Sequence, residues 1–488
     1  MSILPLYLAG SWQPGHGVPL ASVNPADNQP LATVATADAA DVDAAVTAGQ
    51  AAMHDPAWRD LLPHQRAAYL HRIAALIERD AERLAQLQRQ DNGKPILETR
   101  ALVGSAAGTF RYFAAICETL EGDITPSRGS YLSLSTWEPL GVVAAITPWN
   151  SPIASEAQKV APALAAGNAV IVKPSEFTPL LALELAKLAD EAGLPKGLLS
   201  VLPGTGAVTG AALVAHPGVA KVTFTGGTAT GRAIGRVAAD KIMPVSLELG
   251  GKSPNIVFAD ADIDQAINGV LFGLFSSQGQ SCIAGSRIFV EERIYAAFTA
   301  KLAERAAALR IGDPASERTQ IGPAITPQHR NKVEGYVALA QQEGGRLLCG
   351  GSRPADPALQ SGNYIAPTLI EGLGNRSRTA QEEIFGPVGV LLPFRNEDAL
   401  IAEANDTVYG LASGIWTGDF RRAWRIGRAL NAGTVWINTY KQFSIATPFG
   451  GNAESGIGRE KARDGLKAYM RQKSLYVDLS GRPIPWAD

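Results

Sequence analysis

Val142-Val143-Ala144-Ala145-Ile146, a helical stretch through Ala166, and then Ala169-Val170-Ile171-Val172 read as strand, helix, strand. Short apolar runs bounded by turn residues suit strands buried on both faces. A helix from Leu180 to Ala192 comes next, and Leu199-Ser200-Val201-Leu202, Val219 to Thr225 and Val245 to Leu249 continue the alternation. Strands and helices joined by short glycine-bearing turns predict an α/β fold, with a mostly parallel sheet covered on both faces. Such sheets bind ligands beyond the carboxyl ends of their strands, so the residues just past each strand are where chemistry is expected.

Upstream, residues 38–90 read as mainly helical, because Leu70, Ile73, Ile77, Leu84 and Leu87 recur at helical spacing and Asn92-Gly93-Lys94-Pro95 supplies a stop. A second helical stretch is expected over 99–120. Tyr131 to Trp137 alternates at period two, and so does Gln472 to Asp478 in the tail; both suit exposed or edge strands. Downstream, a second α/β region is expected from about 252 to 450. It holds a strand from Ser286 to Val290, a helix from Ile294 to Leu309, and strands near 388–393, 411–416 and 434–438. No repeat or long linker is visible, and 488 residues exceed what one core supports, so tightly docked units are predicted.

The chain is 46% hydrophobic and 18% charged, with a formal net charge of −2, so no global field favours nucleic acid or anionic lipid. Three cysteines, Cys117, Cys282 and Cys349, make no disulfide framework, and no metal-ligand spacing of Cys or His appears. The N-terminal stretch Met1 to Tyr7 lacks a basic region and a long apolar core, and no apolar run approaches the ~20 residues of a bilayer span. A soluble cytoplasmic protein without metal is expected.

Several motifs sit where the strands end, and each has a structural alternative. Glu248 ends an apolar strand before Gly250-Gly251; a desolvated carboxylate there can act as a base near neutral pH, or cap a turn. Cys282 lies in the polar stretch Ser277-Gln278-Gly279-Gln280-Ser281-Cys282-Ile283-Ala284-Gly285, unlike a core cysteine, whereas Cys117 among Ala114, Ala115 and Ile116 reads as packing. Cys349, beside Gly350-Gly351, reads as a loop residue. Asn150 can aim its amide at an oxyanion or cap the next helix. Lys173 and Glu176 can meet the phosphate and ribose of a dinucleotide, or form a solvated turn. Pro203 to Gly210 misses the dinucleotide glycine spacing, while Phe224-Thr225-Gly226-Gly227 ends a strand and opens a helix able to receive a pyrophosphate. Glu383 and Phe385 precede another strand, where a ribose contact and a nicotinamide contact compete with a helix-end acid and a core ring.

In this order and at these separations, Leu247-Glu248-Leu249-Gly250-Gly251-Lys252, Gly279-Gln280-Ser281-Cys282 and Glu382-Glu383-Ile384-Phe385-Gly386-Pro387 resemble the aldehyde dehydrogenase superfamily, along essentially the whole chain. The resemblance implies a Rossmann-like cofactor domain (1–120 and 140–251), a catalytic domain (252–450) and a small β element for oligomerisation with the tail (121–139 and 451–488). It implies Cys282 as nucleophile, Glu248 as base, Asn150 as oxyanion donor, and Lys159 and Glu460 in proton relay. It implies a cofactor cleft formed by Ile146, Thr147, Pro148 and Trp149, by Lys173, Ser175 and Glu176, by Gly206, by Phe224, Thr225, Gly226, Gly227 and Gly231, and by Leu249, Gly250, Glu383 and Phe385. Glu176 favours NAD over NADP, since an acid repels a 2′-phosphate.

The expected reaction is oxidation of an aldehyde to the acid with NAD or NADP, in a homodimer or homotetramer. CoA acylation is an alternative, disfavoured by Glu248. A cysteine hydrolase is another, but His16, His54, His64, His71, His216 and His329 all lie outside both motifs. Two departures from the family stand out: Gly227 where serine is frequent, and Asn452-Ala453 where a Tyr-Lys pair is common, in a loop expected near the substrate mouth. Trp149, Ser151, Ile153, Ser281, Ile283, Phe443 and Phe449 are expected around the substrate; Ser281 and Ile283, which flank the nucleophile and are neither cationic nor anionic, suggest an uncharged or aromatic aldehyde.

Overall fold

The computed structural model describes residues 3–484 and 486; residues 1, 2, 485, 487 and 488, which the reading of the N-terminus and the outer domain limits included, lie outside the described residues. An eight-stranded sheet runs in the order Gly456–Ile457, Val245–Glu248, Val219–Thr225, Val142–Ile146, Ala169–Lys173, Leu199–Val201, Leu6–Leu8, Ser11–Gln13. The strands from 245–248 through 199–201 are parallel. From Val142–Ile146 the chain steps outward to 169–173 and 199–201, then returns to lay 219–225 and 245–248 on the other side. The order therefore reverses between Val142–Ile146 and Val219–Thr225, and a crevice opens at the carboxyl ends there. Register sharpens this edge: Ile146 pairs with Lys173 and with Phe224, and Thr225 pairs with Glu248.

A seven-stranded sheet comes next, in the order Arg346–Cys349, Thr368–Glu371, Val388–Phe394, Arg287–Glu291, Pro254–Val257, Ala412–Trp416, Thr434–Ile437. All its pairs are parallel except that of Arg346–Cys349. Its amino ends are aligned, Pro254 with Arg287 and Arg287 with Val390. Cys349 thus ends a strand rather than sitting in a loop.

Helices Pro63–Arg79 and Ala81–Asn92 bury Leu70, Ile73, Ile77 and Leu84 completely, each worth about 1.5–3 kcal/mol. Gly93, at φ +74°, ends the second of them. The next helix, Ile96–Cys117, starts earlier than periodicity suggests because Pro95 occupies the position before its first turn. Tyr131–Pro139 pairs antiparallel with Met470–Asp478 along its length and with Asp123–Thr125, so the two alternating stretches form one small sheet.

Two features depart from the sequence reading. The N-terminal residues form strands: Leu6–Leu8 and Ser11–Gln13 extend the eight-stranded sheet, while Ile3–Leu4, Pro30–Val34 and Leu20–Val23 make a separate sheet. The stretch 451–469, assigned with the tail, instead returns to the eight-stranded sheet through Gly456–Ile457 and packs helix Ala462–Lys467 against Pro152–Ala165. Short strands of two or three residues carry too little periodicity to be recognised. No described helix is long and apolar enough to cross a membrane. His16, Asp38 and Asp41 come within ligand reach of one another, but both carboxylates already cap helix Ala39–His54.

Helix Pro152–Ala165 is buried nearly all round, and Glu156 on it is fully buried, with both carboxylate oxygens unpartnered among the described residues. Burial, and next the charge of Asp91, push its pKa well up. Burial also lifts Asp91, to about 7, although Ser22 Oγ and the Leu180 N–H donate to it at 2.6 and 3.2 Å. A carboxyl raised in the folded state contributes fully below the unfolded value, roughly 4.3, and its contribution is lost as pH rises toward the folded value. Glu156→Met should therefore stabilise the protein, by about 1–3 kcal/mol at pH 8. Thermal midpoints of parent and variant should diverge from pH 5 to pH 8; a pH-independent gap would count against this account.

Candidate active site

The carboxyl ends of the first sheet face the amino ends of the second across a cavity of about 670 Å³. It is lined by Ile146, Thr147, Pro148, Trp149 and Asn150 from the first strand end, and by Lys173, Ser175 and Glu176 from the second. Gly206, Phe224, Thr225, Gly226 and Gly227 line it too, as do Glu248, Leu249, Gly250, Cys282, Glu383 and Phe385. Gly231 does not: it lies inside helix Thr228–Asp240, where a Cβ would come within 2.4 Å of the Leu249 side chain, so it serves packing rather than lining. Lys159 and Glu460 also lie outside the lining. Phe177, His329 and Lys332 join the cavity without any motif to announce them, the last two from helix Pro327–Gln342.

The Cys282 loop is held in a strained shape. Ser277, Gln278 and Gly279 all have left-handed φ, at 59°, 56° and 69°. Each non-glycine there costs about 1–2 kcal/mol, which the surroundings must offset. Glu98 does so by accepting from the Ser277 N–H and hydroxyl, both at 2.9 Å, and Gln280 Oε1 accepts from the Ile325 N–H at 2.9 Å. A Cβ on Gly279 would lie 2.2 Å from the Gly386 carbonyl oxygen, and one on Gly251 would lie 2.4 Å from that of Cys282. Bare backbone at these two positions lets the three motifs close on one another.

Asn150 Nδ2 donates to the Gln280 carbonyl at 2.9 Å, so its amide ties the first strand end to the nucleophile loop rather than capping the helix. One of its two N–H groups is used in this way, and among the described residues no acceptor takes the other. Burial, then the charges of Glu383 and Glu248, push the Cys282 thiol up to about 12, with Lys441 opposing them. Burial thus favours the thiol over the thiolate. Glu248 is buried, and both its oxygens lack partners among the described residues. Burial raises its pKa well above the usual range, followed by the charge of Glu460; Lys159, Arg459 and Lys461 oppose this. A carboxylate so placed is basic enough to take a proton near neutral pH. Lys159 forms a buried ion pair with Glu460 and donates to Thr223 Oγ1 at 3.3 Å.

At the other end of the cavity, Lys173 donates to the Pro174 and Gly204 carbonyls, each at 2.8 Å, leaving one N–H uncommitted. Burial lowers its pKa to about 8. Glu176 stands 3.9 Å from that ammonium, partly exposed at the rim. Helix Thr228–Asp240 opens at Gly227, where a Cβ would meet nothing within 4 Å; a serine would fit there. Glu383 accepts from the Gly251 N–H at 3.1 Å. Phe385, at φ +60°, stands edge-on to Trp149, and its carbonyl oxygen lies 2.7 Å from His329 Nε2. His329 is thus committed to backbone, and burial lowers its pKa to about 4.

Of the residues expected around the substrate, Ile153 is fully buried in the core of the first unit, and Ile283 is buried in that of the second. Phe443 and Phe449 meet edge-to-face, and Trp436 and Tyr440 continue this aromatic group, with the Tyr440 hydroxyl donating to the Ile283 carbonyl at 3.0 Å. Asn452, in the loop expected near the substrate mouth, donates to Asn431 and accepts from Arg459; like Phe443, Phe449 and Lys461 it is not among the residues lining this cavity.

The sequence matches the Aldehyde dehydrogenase family over residues 12–475. It is 39% identical over 484 residues to a betaine aldehyde dehydrogenase of Bacillus subtilis (strain 168), covering 99% of each chain. Among solved structures, PnpE from Pseudomonas sp. WBC-3 in complex with nicotinamide adenine dinucleotide superposes with a TM-score of 0.96 at 40% identity, covering 99% of both chains. The NAD+ complex of an aldehyde dehydrogenase from Bacillus cereus gives 0.96 at 38% identity, covering 98% of this chain and 97% of that one.

Proposed function

The chain belongs to the aldehyde dehydrogenase family, and on that premise we propose that it oxidises an aldehyde to the carboxylic acid with NAD+ through a thioester on Cys282. The observation that carries this reading is the convergence of Cys282, Glu248 and Asn150 on one cavity that also holds a dinucleotide-like set of groups. Those groups fit the cofactor. The Gly226–Gly227 turn at a helix start would receive the pyrophosphate, the free N–H of Lys173 and the Glu176 carboxylate would meet the adenosine ribose, and Glu383 would meet the second ribose. Phe385 would lie against the nicotinamide, which, when bound, supplies the hydride acceptor.

Glu248 draws the thiol proton away, directly or through water, and Sγ adds to the aldehyde carbon. Asn150 Nδ2 and the Cys282 N–H stabilise the oxyanion. Once the carbon is oxidised, the acyl group remains bound to sulfur as a thioester. Once that proton has passed to solvent, Glu248 takes one from water, the water oxygen attacks the acyl carbon, and the S–C bond breaks as the proton returns to sulfur, releasing the acid and the thiol. The Lys159–Glu460 pair, whose charges act on Glu248, would pass its proton onward. A histidine-dependent hydrolase finds less support, since His329, the histidine in the cavity lining, is tied to the Phe385 carbonyl. The small sheet bearing exposed Ile124, Leu475, Tyr476 and Val477 would join neighbouring subunits.

Purified enzyme should form NADH and acid in equal amounts from an aldehyde and NAD+ without CoA; a CoA requirement would replace hydrolysis by acyl transfer. Asn150→Ala should lower kcat about 10²–10³-fold with a smaller change in KM, as for loss of one oxyanion donor. A loss confined to KM would remove Asn150 from this role.

A further inference from the structure

Lys461 is the residue the mechanism leaves unused. It directly follows Glu460, and its side chain is 8% exposed. Its Nζ lies 4.0 Å from the centre of the Phe443 ring and 5.2 Å from that of Phe449. Among the described residues, no carboxylate lies within ion-pair distance of it, and no protein acceptor takes its N–H groups. The position is close to the reacting groups. Phe449 pairs with Glu460 across a two-residue bridge, and a Cβ on the next residue, Gly450, would lie 2.8 Å from Glu248 Oε1. The charges of Glu460, Glu248 and Cys282 all act on the Lys461 ammonium. Phe443 is half exposed, and the ammonium lies over its ring, in the aromatic group that adjoins Cys282 through the Tyr440–Ile283 hydrogen bond.

Two further observations mark the site as built. Lys461 has φ +62° and ψ −178°, a backbone region populated almost only by glycine, so a lysine is retained there against strain. Its ammonium also covers a ring face on which a quaternary ammonium could otherwise stack. A second cation would meet both an occupied cage and a like charge. An anion would meet a donor that no protein acceptor takes. A single ammonium balances a single negative charge, which points to a carboxylate rather than a phosphate dianion.

Resting on the reading of the chain as an NAD+-dependent aldehyde dehydrogenase, we propose that its preferred substrates are aldehydes carrying a carboxylate, held by the Lys461 ammonium, and that quaternary-ammonium aldehydes are poor substrates. This replaces the uncharged or aromatic aldehyde that Ser281 and Ile283 suggest in sequence. It also separates the chain from its betaine aldehyde dehydrogenase relative despite their similarity.

The test measures kcat/KM with NAD+ for malonic, succinic and glutaric semialdehydes against propanal, butanal and pentanal, and for betaine aldehyde. At least one semialdehyde should exceed its neutral counterpart by about 10-fold or more, with betaine aldehyde lowest. In Lys461→Met the ratio of that semialdehyde to its alkanal should fall about 10- to 100-fold, the loss of one charge-assisted hydrogen bond, and Lys461→Arg should restore part of it. The parent's own ratio carries the test if the variant does not fold. An alkanal preference in the parent, or an equal loss on every aldehyde in Lys461→Met, overturns the proposal; the equal loss would mean that Lys461 acts through Glu248. Absence of NADH with every aldehyde overturns the dehydrogenase reading and this proposal together, which sets it apart from a wrong substrate class.

Discussion

Cys282→Ala should lower aldehyde-dependent NADH formation by about 10⁴-fold or more, roughly 5.5 kcal/mol of transition-state stabilisation. The size comes from the chemistry. Without sulfur no covalent adduct forms, so neither hydride departure from a tetrahedral carbon nor thioester hydrolysis has a substrate. The variant should fold normally, because Cys282 lies at the margin of the second unit's core and removal of one sulfur leaves the Glu98 and Gln280 contacts of its loop in place. Steady-state rates, with a thermal midpoint as control, check both halves of the expectation. Retention of a tenth of the parent rate would end the nucleophile assignment.

Glu248→Gln should separate the two halves of the reaction. The amide cannot take a proton from water, so deacylation should slow about 10²–10⁴-fold, the usual span for a general base. Acylation can still draw on solvent to remove the thiol proton, so a single burst of NADH should precede a slow steady state. Intact mass should then show one acyl group per chain. In the parent, the deacylation rate should climb as pH rises through the raised Glu248 pKa, since only the ionised carboxylate accepts a proton; in the variant that dependence should vanish. A variant with no burst and no acyl adduct would place Glu248 in the first half of the reaction instead.

Much of this machinery is legible in the linear chain because strand ends are. Apolar runs such as Val142 to Ile146 locate the strands, and the parallel α/β rule then singles out the residues at or just past each strand end: Asn150, Lys173, Gly226 and Glu248. Gly231 misleads because a glycine under a neighbouring leucine and a glycine under a phosphate look alike in sequence. Asn452 is held by hydrogen bonds to Asn431 and Arg459, which no local pattern encodes. His329 and Lys332 lie on an ordinary amphipathic helix, and only its docking turns them to the cavity.

The residue types and their periodicity by themselves determined the α/β class and the strand ends, and left Cys282 and Glu248 as candidates, since these depend on local apolar patterning and on intrinsic side-chain chemistry. Tertiary structure alone decided which groups are desolvated and which are paired. It lifts Cys282 to about 12, leaves Glu248 without a hydrogen-bond partner among the described residues and ties His329 to backbone. It also carries Lys461, one charge in an ordinary polar stretch of the tail, onto the rings of Phe443 and Phe449. Burial and partner geometry are sums over segments distant in sequence, which is why they emerge only when the chain has folded.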